Sequence, residues 1–119
     1  AKTFSTCEVH VHTGDGDLIS QLVLFRSATV VVAPHGAGLV NIIVCRENTL
    51  IFELLVSGKH VNLCYMSMAC KLRLRYTAMT VAGSTQDGAM TVNVPSAVAF
   101  LKVYSVLAAN SSTGGRSSN

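Results

Sequence analysis

The sequence has no tryptophan, two prolines and three tyrosines, and only 6% of its 119 residues are aromatic. Charge is sparse too: 13% of positions are Asp, Glu, Lys or Arg, and the nine basic residues are scattered without forming a run. Nucleic-acid binding needs a basic stripe or patch, usually with aromatics among it, so that class is set aside. Cys7, Cys45, Cys64 and Cys70 include no C-x-x-C pair, which argues against a zinc or dithiol motif. They read as small buried hydrophobes, with a disulfide open to a chain in the secretory pathway. No apolar run approaches the roughly 20 residues of a membrane span, so any membrane association is expected through an anchor outside this sequence. No Asp-x-Asp is present to hold a metal. A signal-peptide pattern is also missing. The start at Ala1-Lys2, without Met, reads as an internal or C-terminal piece of a longer chain.

What is abundant is apolar. Half of the residues are hydrophobic and the mean hydropathy is +0.45. Such a chain can bury a core and is not disordered by composition. Two causes fit the high hydropathy: a parallel sheet buried on both faces, or an interface to a missing partner.

The pattern along the chain alternates strands with helices. Val9 and Val11, with His10 and His12 between them, suggest a strand ending near His12. Thr13 to Asp17 is a turn rich in helix-starting residues, with Asp15 and Asp17 expected to cap. Leu18, Ile19, Leu22, Val23 and Phe25 recur at helical spacing to about Ser27. Thr29 to Ala33 is a β-branched run ended by Pro34, and Thr49 to Leu54 is a second buried strand. A short helix is expected over Leu39 to Cys45, and another over Asn62 to Lys71. Leu72 to Thr80 reads as a strand, Met90 to Val94 as a last extended piece, and Pro95 opens a helix to about Ala109. The expected architecture is α/β, an open Rossmann-like parallel sheet with helices on both faces, spanning residues 1–109. Residues 110–119 form a polar, low-complexity tail expected to be disordered; its Asn110-Ser111-Ser112 matches the glycosylation acceptor triplet.

Ligands of such sheets bind outside the carboxyl ends of the strands. The loops Thr13 to Asp17, Pro34 to Gly38 and Leu55 to His60 are therefore the ones to examine. Within them, Pro34-His35-Gly36-Ala37-Gly38-Leu39 carries the strongest signal. Its glycines leave the backbone bare, and the following helix offers unpaired N–H groups and the positive end of its dipole, which suit a phosphate. His35 can donate to a phosphate oxygen. The segment lacks the third glycine of a dinucleotide fingerprint and the Lys of a P-loop, so G-x-G alone leaves a plain strand-helix turn open. His10 and His12 share a strand face without a third metal ligand at suitable spacing. A response-regulator-like domain is disfavoured because no acidic cluster follows the first strand.

The order His35-Gly36-Ala37-Gly38-Leu39, Asn41, then Leu50-Ile51-Phe52-Glu53-Leu54 resembles the signature of glycosyltransferase family 61. Gln21, Leu22, Phe25 and Ala28 upstream are similar to the family's helix before that strand. Tyr65, Ala69, Leu74 and Tyr76, and then Val92-Asn93-Val94, look like its later elements, so the resemblance covers roughly residues 8 to 107. Departures are Ser20 in place of an acidic residue, a plain Leu55-Val56-Ser57-Gly58-Lys59 loop, and Cys45-Arg46-Glu47 where a Phe- or Pro-containing turn is usual.

The family includes enzymes that add N-acetylglucosamine to EGF-like domains and plant xylan xylosyl- and arabinosyltransferases. The resemblance implies the C-terminal, donor-binding half of a GT-B enzyme whose N-terminal half is missing. It implies inverting, metal-independent transfer without a cofactor, from a nucleotide sugar, in all expectation UDP-linked, to a protein or polysaccharide hydroxyl. It also implies a Golgi or endoplasmic-reticulum lumen. Donor phosphates are expected at His35, Gly36, Ala37, Gly38, Leu39 and Asn41, and the ribose at Glu53. No catalytic base can be named; the other half would supply it. The alternative is a degenerate, non-catalytic nucleotide- or sugar-phosphate-binding module.

Overall fold

The computed structural model describes residues 8–57, 62–83 and 90–113, the last nine of these for the backbone only. Two compact units divide the chain: Glu8–Thr91, and Val92–Asn119 together with Ala1–Cys7.

The larger unit begins with a stretch of no regular structure. Val9 to His12 form no strand, contrary to the sequence expectation, because alternation alone cannot make a strand without a neighbour to pair with. His10 instead lies 3.0 Å from the exposed Glu8 carboxylate, and His12 packs edge-on against Phe25. In the turn that follows, Gly14 (φ 84°) and Gly16 (φ 100°) occupy left-handed backbone, where a side chain would be strained. The Gln21 side-chain amide donates to both of their carbonyls, at 3.2 Å each. Asp17 caps the first helix, accepting from the Ser20 N–H at 2.6 Å, and that backbone hydrogen bond holds its carboxyl below the usual range.

Helix α1 (Leu18–Ser27) leads into β1 (Val30–Pro34), a 3-10 helix over Ala37–Val44 (the turn helix), β2 (Leu50–Val56), α2 (Cys64–Lys71), β3 (Arg75–Gly83) and β4 (Met90–Thr91). The sheet order is β1-β2-β3-β4. The first three strands are parallel, with Val31, Ile51 and Tyr76 side by side, and Ala33, Glu53 and Ala78 in the next row of the same face. Strand order therefore follows chain order, and α1, the turn helix and α2 pack on one face of these strands, where the sequence reading expected helices on both. Phe25 of α1, Leu39 and Ile42 of the turn helix and Ala69 of α2 share a core with Ile51, flanked by Val31, Ala33, Tyr65 and Tyr76. Leu50, Phe52 and Leu54 are buried on the other face of β2.

The sheet is not parallel throughout, which corrects the sequence reading: β4 pairs antiparallel with β3 through Ala82–Thr91 and Gly83–Met90. The chain between them is too short for a parallel crossover, which needs a dozen residues or so. The third strand also starts later than expected, at Arg75. Arg73 (φ 57°) takes the left-handed conformation that ends α2, and the Leu74 N–H returns to the Ala69 carbonyl at 2.9 Å. With no glycine there, the sequence carried no stop signal.

The first expected source of the high hydropathy is present, and apolar side chains at the surface add to it. β2 is buried along its first five residues. Leu18, Ile19 and Val23 of α1 and Val40 and Ile43 of the turn helix are exposed.

In the smaller unit, α3 (Val94–Thr113) extends beyond the Ala109 expected from the sequence. Asn93 caps it, accepting from the Ser96 N–H at 3.1 Å, and Phe100 stacks on Tyr104. No helix among the described residues is long and apolar enough to cross a membrane.

Cys45, Cys64 and Cys70 are free thiols. Burial pushes the Cys45 thiol up from its ordinary value, while Cys64 and Cys70 are exposed. Iodoacetamide at mildly alkaline pH should therefore alkylate Cys64 and Cys70 in the native chain and Cys45 only after denaturation, as read by peptide mass spectrometry. Equal labelling of Cys45 would contradict this packing.

Candidate functional site

The end of β1 is tied to the centre of the sheet. The His35 N–H continues the ladder, donating to the Leu54 carbonyl at 3.0 Å. Gly36 is extended, and the turn helix closes on it as the Leu39 N–H donates to its carbonyl at 3.1 Å. The fold does not itself require either glycine. Neither lies in the left-handed backbone region; a side-chain carbon at Gly36 would come no nearer than 4.0 Å to the Pro34 carbonyl, and one at Gly38 would meet nothing. What the glycines leave open is therefore the outer side of the turn. No side chain caps the helix start, and Ala37 and Gly38 are exposed. First-turn N–H groups have no partner within a helix.

Glu53 is the only charged residue in the Leu-Ile-Phe-Glu-Leu-Leu-Val strand β2, and its exposure is 0%. Its row neighbours Ala33 and Ala78 are small, which leaves space beside the carboxylate on the helix-covered face. A buried carboxylate is costly unless its oxygens are paired. Both are. His35 Nδ1 lies 2.5 Å from Oε2, and the Tyr76 hydroxyl, one row back on β3, donates to Oε1. Burial, and after it the hydrogen bond to Glu53, raise the Tyr76 pKa far above the ordinary tyrosine value, so the hydroxyl remains a donor. Among the described residues no Lys or Arg pairs with Glu53.

Tyr65 of α2 completes the arrangement. Its hydroxyl donates to the Gly36 carbonyl at 2.6 Å, and its ring meets the His35 ring edge-on, with centroids 5.2 Å apart. His35 is thus gripped at Nδ1 and along one edge, while its side chain keeps 35% of its surface exposed. With Nδ1 directed at a carboxylate, Nε2 is the atom left to interact outward.

The other expected site residues are distributed unevenly. Ala37 and Gly38 lie at the surface beside His35, whereas the Leu39 and Asn41 side chains are buried with Ile42. Glu53 reaches the site from behind, through His35. Arg26, which was not among the expected site residues, donates to the Val44 carbonyl at the far end of the turn helix. His60 lies outside the described residues. Among the described residues no three His, Cys, Asp or Glu side chains gather as a metal site would require.

Tyr65 and Tyr76 went unassigned in the sequence reading. A signal for Tyr76 existed, because parallel register with two-residue periodicity puts Tyr76, Ala78 and Glu53 on one face once the strands are aligned. For Tyr65 there was none, since its contact spans 29 residues and depends on how α2 docks.

What this arrangement offers chemically is a set of hydrogen-bond donors at the surface. It offers bare, uncapped amides and an imidazole whose rear nitrogen faces a buried carboxylate. Residues 2–52 match the family model described as Glycosyltransferase 61, a segment that contains α1, β1, His35 and the whole turn helix and ends one residue before Glu53. No curated protein and no solved structure matched the chain.

Proposed function

From the match of residues 2–52 to the Glycosyltransferase 61 family model we infer that the chain is a glycosyltransferase of that family, with a site for the diphosphate of a nucleotide sugar at His35, Gly36, Ala37 and Gly38. The observation that carries this reading is the bareness of the turn. Two glycines that neither dihedral angle nor crowding demands stand at an uncapped helix start beside an anchored histidine. Backbone amides there stabilise the charge of a leaving diphosphate without reorganising, and His35 adds a side-chain donor. Leu39 contributes its backbone, since its side chain is in the core. Asn41 supports the turn helix from its buried side.

In this reading the parallel strands β1 to β3 belong to a Rossmann-like half of a GT-B enzyme. The donor is a UDP-sugar, and transfer inverts the anomeric centre without a metal. The acceptor is a protein or polysaccharide hydroxyl in the Golgi or endoplasmic-reticulum lumen, and the acceptor's base comes from the enzyme's other half. In this reading Glu53 acts on the donor through His35 in place of the ribose contact expected of it, since its side chain is wholly buried between His35 and Tyr76.

Gly38→Ala tests the reading sharply. The added methyl group meets no protein atom, so the melting temperature should stay unchanged or rise slightly with the better helix former. UDP affinity should fall by about tenfold, the scale of one lost hydrogen bond to a charged group. Calorimetric titration with UDP, GDP and CDP would measure the loss and identify the base. Wild-type affinity in Gly38→Ala would show that no ligand approaches this backbone.

A further inference from the structure

We propose that the outer face of α1 is a self-association surface, on which two copies of this chain pair antiparallel about a two-fold axis, each setting its acidic end against the other's basic end.

Ile19, Val23 and Arg26 are spaced i, i+4 and i+7 along α1 and so fall on one stripe of the helix. Phe25, on a different side, enters the core. Ile43 of the turn helix stands beside the stripe, and with Leu22 it completes an apolar groove. Ile19, Val23 and Ile43 keep 69%, 61% and 59% of their surface exposed, so most of this apolar surface faces solvent. Contiguous apolar surface rimmed by charge marks an interaction site.

The charges at its two ends decide what fits. Asp15 and Asp17 stand exposed just before α1, and the Ser20 N–H holds the Asp17 carboxyl below its usual range, so it is ionised at neutral pH. At the other end Arg26 and Arg46 line the groove, with their guanidiniums placed by hydrogen bonds to the Val44 and Ser27 carbonyls. Ten helical residues lie between the two ends, a separation of about 15 Å. A surface that runs from acid through apolar to base is complementary to itself when turned by half a revolution. A two-fold axis near Leu22 lays α1 antiparallel on its copy. The Ile19 and Val23 faces then meet in the middle, and each acidic end lies beside a basic end. The antiparallel pair also sets each helix N-terminus beside the other's C-terminus, where the dipoles attract. A partner with charge of a single sign would match only one end.

Exposed ion pairs add little affinity, whereas like charges brought together are strongly penalised. The ends therefore set the direction of pairing and the apolar middle sets its strength. Arg26 meets the turn helix at Val44, the end away from His35, so self-association stands or falls without the diphosphate site.

Sedimentation equilibrium of the whole chain is the test. The mass should rise from 12.6 kDa toward twice that value as concentration increases from about 1 μM to 1 mM, the span in which modest interfaces form. Val23→Asp lies at an exposed position, so it should fold, and it should weaken association by about 10²-fold because pairing buries its charge. Two charge variants then fix the direction. Asp15→Arg with Asp17→Asn turns the acidic end basic and keeps a cap on α1, since Asn caps about as well as Asp. Arg26→Glu with Arg46→Glu turns the basic end acidic. Each charge variant alone meets like charge at both ends and should associate about tenfold more weakly. Mixed in equal amounts they should form a heterodimer of near wild-type strength, which damaged folding could not produce. A wild-type chain that stays monomeric overturns the proposal and gives this face to a partner of another kind. Dimers that persist in Val23→Asp overturn it too, because the contact then lies elsewhere. Charge variants that leave association unchanged, or that weaken it without recovery on mixing, also overturn it, since the ends then do not set the pairing. Should a charge variant not fold, the wild-type and Val23→Asp masses decide.

Discussion

On the proposed donor site, replacing His35 with alanine should lower kcat/KM for transfer from a UDP-sugar by about 10²-fold, the scale for losing one preorganised donor to developing negative charge. The expectation follows from where the side chain is held. Nδ1 is fixed by a buried carboxylate, the ring edge rests on Tyr65, and the backbone N–H is locked to Leu54. A donor restrained at three points loses little entropy when the diphosphate arrives, so its contribution can be made at the transition state, where charge on the leaving group is greatest. The substitution also leaves a Glu53 oxygen without its donor, so the variant should melt earlier. Rates should accordingly be compared well below both melting transitions. The informative split is between kcat and KM. A loss confined to KM means His35 binds donor and transition state alike, and a loss in kcat places it on the departing diphosphate. Unchanged kinetics would remove His35 from the chemistry.

Much of the fold could be read from the sequence because its signals are local. The Thr29–Ala33 run and Leu50–Leu54 are β-branched or continuously apolar and became β1 and β2. The apolar spacing from Leu18 to Phe25, with Asp17 before it, located α1 and its cap. What failed depended on pairing. Val9 to His12 had the alternation of a strand but no neighbour, and β4 had a direction that only the length of its connection could reveal. The end of α2 at Arg73 used a left-handed residue that is not glycine, so the start of β3 was placed too early. At the site, the sequence singled out His35, its glycines and Glu53 as separate features. Their connection was not legible, because it runs laterally from β1 through β2 to β3, across residues 18 and 23 positions apart in the chain.

The connected carboxylate also yields the largest stability change expected in this unit. Glu53→Ala should destabilise the chain by about 3–5 kcal/mol in urea unfolding, since it opens a cavity in the central strand and strands the Tyr76 hydroxyl. Against a total stability of about 5–15 kcal/mol for a domain, that is a large share. The double variant Glu53→Leu, Tyr76→Phe should behave differently. It fills the same space with carbon and leaves no buried polar group unpaired, because the part-exposed His35 can turn to water. Replacing a buried polar network by well-packed apolar residues is often neutral or stabilising. The double variant should thus recover most of the loss while UDP affinity stays low. That outcome would mean the polar network is not needed to hold the sheet together and is retained for what it does to His35. If the double variant is as unstable as Glu53→Ala, the network is structural, and its polarity stops being an argument for a ligand at this turn.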